Sequence, residues 1–123
     1  MTIEHAALLV RDPIAMAAWY VAHLGMRVTK EGPPPANARF LADGNGMLLE
    51  AYAHPTLPVP DYAGMDPLVL HVAFRAEDVA AERARLIAAG AAPVGDVVTA
   101  PNGDVLGMVR DPWGLAVQIV RRG

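Results

Sequence analysis

Apolar positions in this chain fall into short runs of strand length, broken at regular intervals by turn residues and by two longer helical stretches. Ile3-Glu4-His5-Ala6-Ala7-Leu8-Leu9-Val10 is the first strand-type run. Asp12-Pro13 then reads as a helix start, with Asp as cap and Pro at the first helical position, where its missing N–H costs nothing. The helix is predicted to run to about Leu24, with Gly25 as the left-handed residue that ends it. Residues 26–30 resume as a strand. Gly32-Pro33-Pro34-Pro35 must be loop, because three prolines have no N–H to donate to a ladder. Strands over 38–41 and 47–52 are joined by Asp43-Gly44-Asn45-Gly46, residues that tolerate positive φ. The first half is therefore predicted as βαβββ.

Residues 54–67 carry four prolines and are expected to be irregular. Then the pattern starts again. Leu68-Val69-Leu70-His71-Val72-Ala73-Phe74 contains a histidine 66 positions after His5, and Asp78 lies 66 positions after Asp12. A helix from about Glu77 to Ala89 ends at Gly90, and strands are predicted over 93–99, 105–110 and 115–120. Pro101-Asn102-Gly103 and Asp111-Pro112-Trp113-Gly114 supply the turns. A repeat this long is not a solenoid unit, so duplication of a βαβββ module is the better explanation. One domain is expected, built from modules at about 1–53 and 68–123 with a proline-rich connection over 54–67.

Within these apolar runs four polar side chains stand out. Leu48-Leu49-Glu50-Ala51-Tyr52 reads as a largely buried strand, where an ionised Glu50 is costly unless a cation or metal compensates it. His5, His71 and Gln118 occupy similar runs. Gln118 lies 68 positions after Glu50, so the repeat pairs His5 with His71 on the first strands and Glu50 with Gln118 on the last. Each has a plain alternative: a histidine in an apolar strand can be a satisfied core residue, a buried amide can bond to backbone, and Arg39 or Arg75 could neutralise Glu50. His23, on the first helix, reads as a surface or packing residue, and His54 as a residue of the connection.

Composition narrows the chemistry. With no cysteine there is no disulfide, thiolate nucleophile or Cys-type metal site, so a metal must use His, carboxylate or amide ligands. A net charge of -3 and a pI near 5.7 provide no basic face for nucleic acid. No apolar stretch approaches the roughly 20 residues that span a bilayer, and no signal-peptide layout opens the chain. A cytoplasmic protein with a small-molecule substrate or ligand is expected, without nucleic-acid or membrane partners.

The runs around His5 and His71, the helix end Trp19-Tyr20-Val21-Ala22-His23-Leu24-Gly25-Met26, and Arg110-Asp111-Pro112-Trp113-Gly114-Leu115-Ala116-Val117-Gln118 together resemble the vicinal oxygen chelate superfamily. That superfamily includes glyoxalase I, extradiol dioxygenases, methylmalonyl-CoA epimerase, fosfomycin-resistance enzymes and bleomycin-binding proteins. The resemblance implies an α+β fold whose two modules form an open barrel-like cup with helices outside, binding a divalent metal such as zinc, nickel, manganese or iron. It places His5, Glu50 and His71 at ligand positions, with Gln118 where a Glu is usual. Glu50 is then the candidate catalytic base, and Tyr52, Arg75 and Trp113 are candidate pocket residues. Chains of this length in the family often pair, so a homodimer is expected.

Gln118 decides which chemistry is open. Two imidazoles, one carboxylate and a neutral amide around a divalent ion carry a net charge of about +1, against about 0 with two carboxylates, so metal is held less tightly while a bound oxygen is polarised more. An amide cannot accept a proton, which weakens the parallel to glyoxalase I itself and more so to an extradiol dioxygenase. What remains is a glyoxalase-like metal-dependent lyase or isomerase on a small substrate with neighbouring oxygens. The alternative is a metal-free binding or drug-resistance protein of the bleomycin-resistance kind.

Overall fold

Both helices begin after a capping aspartate, the second at Val79 rather than near Glu77. The Asp12 carboxylate accepts the Ala15 N–H at 3.0 Å and opens α1 (Pro13–His23); Asp78 accepts from Ala81 at 2.9 Å and opens α2 (Val79–Ala88). Gly25 and Gly90, just past the ends, have φ of +66° and +109°, a conformation glycine adopts without steric cost. The computed structural model describes residues 1–123 and divides into two compact units, Met1–Pro60 and Asp61–Gly123. The boundary falls inside the 54–67 connection. No helix is long and apolar enough to cross a membrane.

The first unit contains β1 (Ala6–Leu9), α1, β2 (Arg27–Glu31), β3 (Arg39–Ala42) and β4 (Leu48–Tyr52). The second repeats this order with β5 (Val72–Arg75), α2, β6 (Ala92–Thr99), β7 (Val105–Arg110) and β8 (Ala116–Arg121). Each forms a four-stranded mixed sheet, ordered β1-β4-β3-β2 and β5-β8-β7-β6. In each, the outer first strand runs parallel to the last, and the remaining pairs are antiparallel. The fold class is α+β, two βαβββ units, as predicted.

Each sheet is covered by its helix on one face. In the first unit Leu8, Leu41, Leu49 and Ala51 are buried together with Met16, Ala17 and Tyr20 of α1. In the second Val109, Val117 and Ile119 are buried with Val79 and Leu86 of α2. Gly107 permits this approach: a Cβ there would lie 3.0 Å from Val79 and 3.2 Å from Arg83.

Three expectations change. The first strand is shorter than 3–10 and starts at Ala6, leaving His5 just outside it. The strand expected over 69–74 starts at Val72, because Asp66 turns the chain by accepting the N–H groups of Leu68 and Val69, which are left 82% and 72% exposed. The connection is also not wholly irregular. Tyr62–Gly64 forms a 3-10 turn capped by Asp61, with Tyr62 buried. The Arg110 guanidinium holds it by donating to the carbonyls of Tyr62, Met65 and Gly114 at 2.8–3.0 Å.

Candidate functional site

Strand register brings His5 and Glu50 together. Ala7 pairs with Glu50 across the parallel β1–β4 ladder, and His5, two residues before Ala7, lies on the same face. His5 Nε2 is 3.2 Å from Glu50 Oε2, and His5 Nδ1 is in short contact with the Glu4 carboxylate. The imidazole thus sits between two carboxylates. Its pKa is raised above 6.5, first by the hydrogen bond to Glu4, against desolvation, and further by the charges of Glu4 and Glu50.

The prediction that β4 is largely buried holds for one face only. Leu49 and Ala51 are buried under α1, while the Glu50 side chain, on the face the helix leaves free, is 19% exposed. Within the first unit its partner is His5 and not Arg39. Arg39 is engaged by Glu31 at 3.8 Å and by the carbonyls of Gly32, Asn37 and Ala38.

The second unit repeats the framework. Ala73 pairs with Gln118, and His71 lies two residues before Ala73, as His5 does before Ala7. Gln118 is half-buried on β8. His71 Nδ1 lies 2.7 Å from the Pro67 carbonyl, which can only accept; Nδ1 therefore carries the proton and Nε2 of the neutral ring keeps its lone pair. In both histidines the δ nitrogen is committed to an oxygen acceptor. Such anchoring orients metal-binding imidazoles and raises their basicity.

The other candidates are more scattered. Tyr52, half-buried, follows Glu50 by two residues on β4 and shares its face. Arg75 is exposed at the end of β5, opposite Val120. Trp113 is half-buried in the turn where the Asp111 carboxylate accepts the N–H groups of Trp113 and Leu115. His23 packs its ring against Trp19 at 5.1 Å. His54 Nδ1 accepts from the Thr56 and Leu57 amides.

Sequence reasoning passed over three residues that adjoin the pair. Glu4 reaches His5 from the neighbouring position, a signal readable as a carboxylate beside a candidate ligand. Phe40 stands opposite Glu50 on β3 and meets the His5 ring edge-on at 5.5 Å. Lys30 stands opposite Phe40 on β2, its ammonium 5.5 Å from the ring centroid.

Two donors 3.2 Å apart, such as His5 Nε2 and Glu50 Oε2, are spaced as neighbouring ligands of one ion with ligand distances near 2.0–2.2 Å. No group of three or more His, Asp or Glu side chains is gathered so as to hold a metal. The donor types of His5 and Glu50 suit a divalent ion such as zinc, and this pair is what the structure itself brings together.

Comparison with known proteins agrees with this architecture. The profile of the Glyoxalase/Bleomycin resistance protein/Dioxygenase superfamily matches residues 2–119, and the chain belongs to that superfamily. Among solved structures it is similar to SMU.1112c, with 27% identity, 98% of each chain covered and a TM-score of 0.77. It shares its fold with the glyoxalase family protein APC24694 from Bacillus cereus at 18% identity, 99% and 94% coverage and a TM-score of 0.83. A glyoxalase I mutant from Zea mays aligns at 20% identity and a TM-score of 0.79, over 98% of this chain and 45% of that one. No curated protein sequence matches the chain.

Proposed function

We propose that this chain is a glyoxalase-like, metal-dependent lyase or isomerase that acts on a small molecule with two neighbouring oxygens, working as a cytoplasmic homodimer. The observation that carries the reading is the His5–Glu50 pair, with the δ nitrogens of both His5 and His71 already committed to oxygen acceptors. His5, Glu50, His71 and Gln118 are the proposed ligands. A divalent ion held there would supply Lewis-acid polarisation of a substrate oxygen.

The chain's own groups do the rest. Glu4 and the Pro67 carbonyl hold the two imidazoles by Nδ1, so that Nε2 is the nitrogen each would turn to an ion, in His5 beside the Glu50 carboxylate. Gln118 contributes a neutral oxygen and leaves the site more positive than a second carboxylate would. Glu50, part-shielded from water, would take a proton from a substrate carbon onto its carboxylate and return it to the neighbouring carbon. Metal analysis of tag-free protein grown in metal-rich medium tests the proposal: His5→Ala should lose the metal that the wild type retains. A wild type that takes up no zinc, nickel, manganese or iron would sink it, and a monomeric mass by light scattering at micromolar concentration would remove the dimer.

Glu4 and Glu50 between them engage both ring nitrogens of His5, which also supports a second reading, a metal-free binding protein of the drug-resistance kind. In that case ligand binding persists in chelator.

A further inference from the structure

One row of residues crosses the first unit's sheet on the face that α1 leaves free. Ala7 pairs with Glu50, Glu50 with Phe40, and Phe40 with Lys30, so the four strands present them side by side. The Phe40 ring is the bridge: His5 approaches its edge at 5.5 Å, and the Lys30 ammonium stands 5.5 Å from its centroid. Lys30 is exposed and takes part in none of the chain's ion pairs. An exposed ammonium over a ring stabilises a fold little by itself.

The second unit serves as an internal control. In the matching row Ala73 pairs with Gln118, Gln118 with Met108, and Met108 with Val94. Where the first unit has an aromatic ring and a cation, the second has two aliphatic side chains. The framework therefore does not require Phe or Lys at these positions.

We infer that Phe40 and Lys30 form a recognition subsite for the non-reacting end of the ligand, and that this end is a flat apolar ring bearing a carboxylate. The ring packs on Phe40, and the carboxylate reaches Lys30. Glu50 and Glu4 repel an anion at the His5 end, so the ligand's charge is directed to the far side of the ring. The inference rests on the proposed use of this sheet face as the ligand site, but not on the metal.

The test is calorimetric titration of the chelator-treated full chain with 2-naphthoate and with its neutral counterpart 2-naphthamide, at low salt. The wild type should bind the carboxylate about three- to fivefold more tightly, the scale of an exposed charge pair. Lys30→Met should abolish that preference and Lys30→Arg keep it. Phe40→Leu should weaken both ligands and leave the preference intact. Equal binding of the two ligands, no binding of either at millimolar concentration, or a preference that survives Lys30→Met overturns the inference. Because the titration is run in chelator, it is read apart from the metal content of the untreated wild type, so failure of either reading leaves the other readable.

Discussion

His5 Nε2 faces Glu50 Oε2 at 3.2 Å while His5 Nδ1 is held by Glu4, so one imidazole is addressed from both sides by carboxylates. The two protonation forms of this ring have different consequences. As an imidazolium it offsets one of the two negative charges it touches. As a neutral ring with Nδ1–H on Glu4, it would offer Nε2 to the proposed metal beside Glu50.

The metal-free form makes a pH prediction. The folded-state pKa of His5 is raised above 6.5, so its contribution to stability is complete below about 6.5, the unfolded value, and fades as pH rises through the folded pKa. In chelator, melting temperature measured from pH 5.5 to 9 should fall more over this window for the wild type than for His5→Gln. Parallel profiles would remove His5 from the account.

The metal-bound form predicts opposite effects for two exchanges of carboxylate and amide. Glu50→Gln removes the site's sole predicted anionic ligand and should abolish metal retention and proton transfer. Gln118→Glu adds a second carboxylate and should tighten metal binding by about tenfold or more, measured by competition with a fluorescent chelator. A Glu50→Gln protein that keeps its metal would contradict the assignment of Glu50.

Glu4 touches no proposed substrate position and acts through His5, as a positioning residue. Glu4→Gln should lower metal affinity by about tenfold, within the range seen when the acceptor behind a ligating histidine is lost. The readout that separates orientation from general damage is the His5 tautomer, followed by ring-nitrogen NMR shifts in metal-free protein at pH 8. An unchanged tautomer with unchanged affinity would leave Glu4 with no role.

Gly114 tests the turn that precedes β8 and Gln118. It sits at φ +92°, and a Cβ there would lie 2.8 Å from both the backbone nitrogen and the Cβ of Ala63, which cannot yield as a flexible side chain would. Gly114→Ala should cost about 2–4 kcal/mol by denaturant unfolding, combining left-handed strain with steric overlap. A loss below about 1 kcal/mol would show that the Ala63 turn moves aside freely.

Much of the architecture is legible in the chain itself because it depends on local chemistry. Asp12-Pro13 and Asp78 cap the helices, Gly25 and Gly90 end them, and the 66- and 68-residue offsets reappear as matching strand registers, His5 before Ala7 and His71 before Ala73. Local signals could not decide what lies across a strand. Whether Glu50 meets Arg39 or His5, and whether Phe40 and Lys30 stand in the same row, depends on pairing between residues well apart in the chain. Those registers are set when the buried face of each sheet closes under its helix. Sequence alone placed His5, Glu50, His71 and Gln118 at matching positions of the two repeats and determined in which half each stands. The folded sheet decided that His5 is clamped between Glu4 and Glu50, because only the parallel register of β1 on β4 carries that carboxylate to the imidazole.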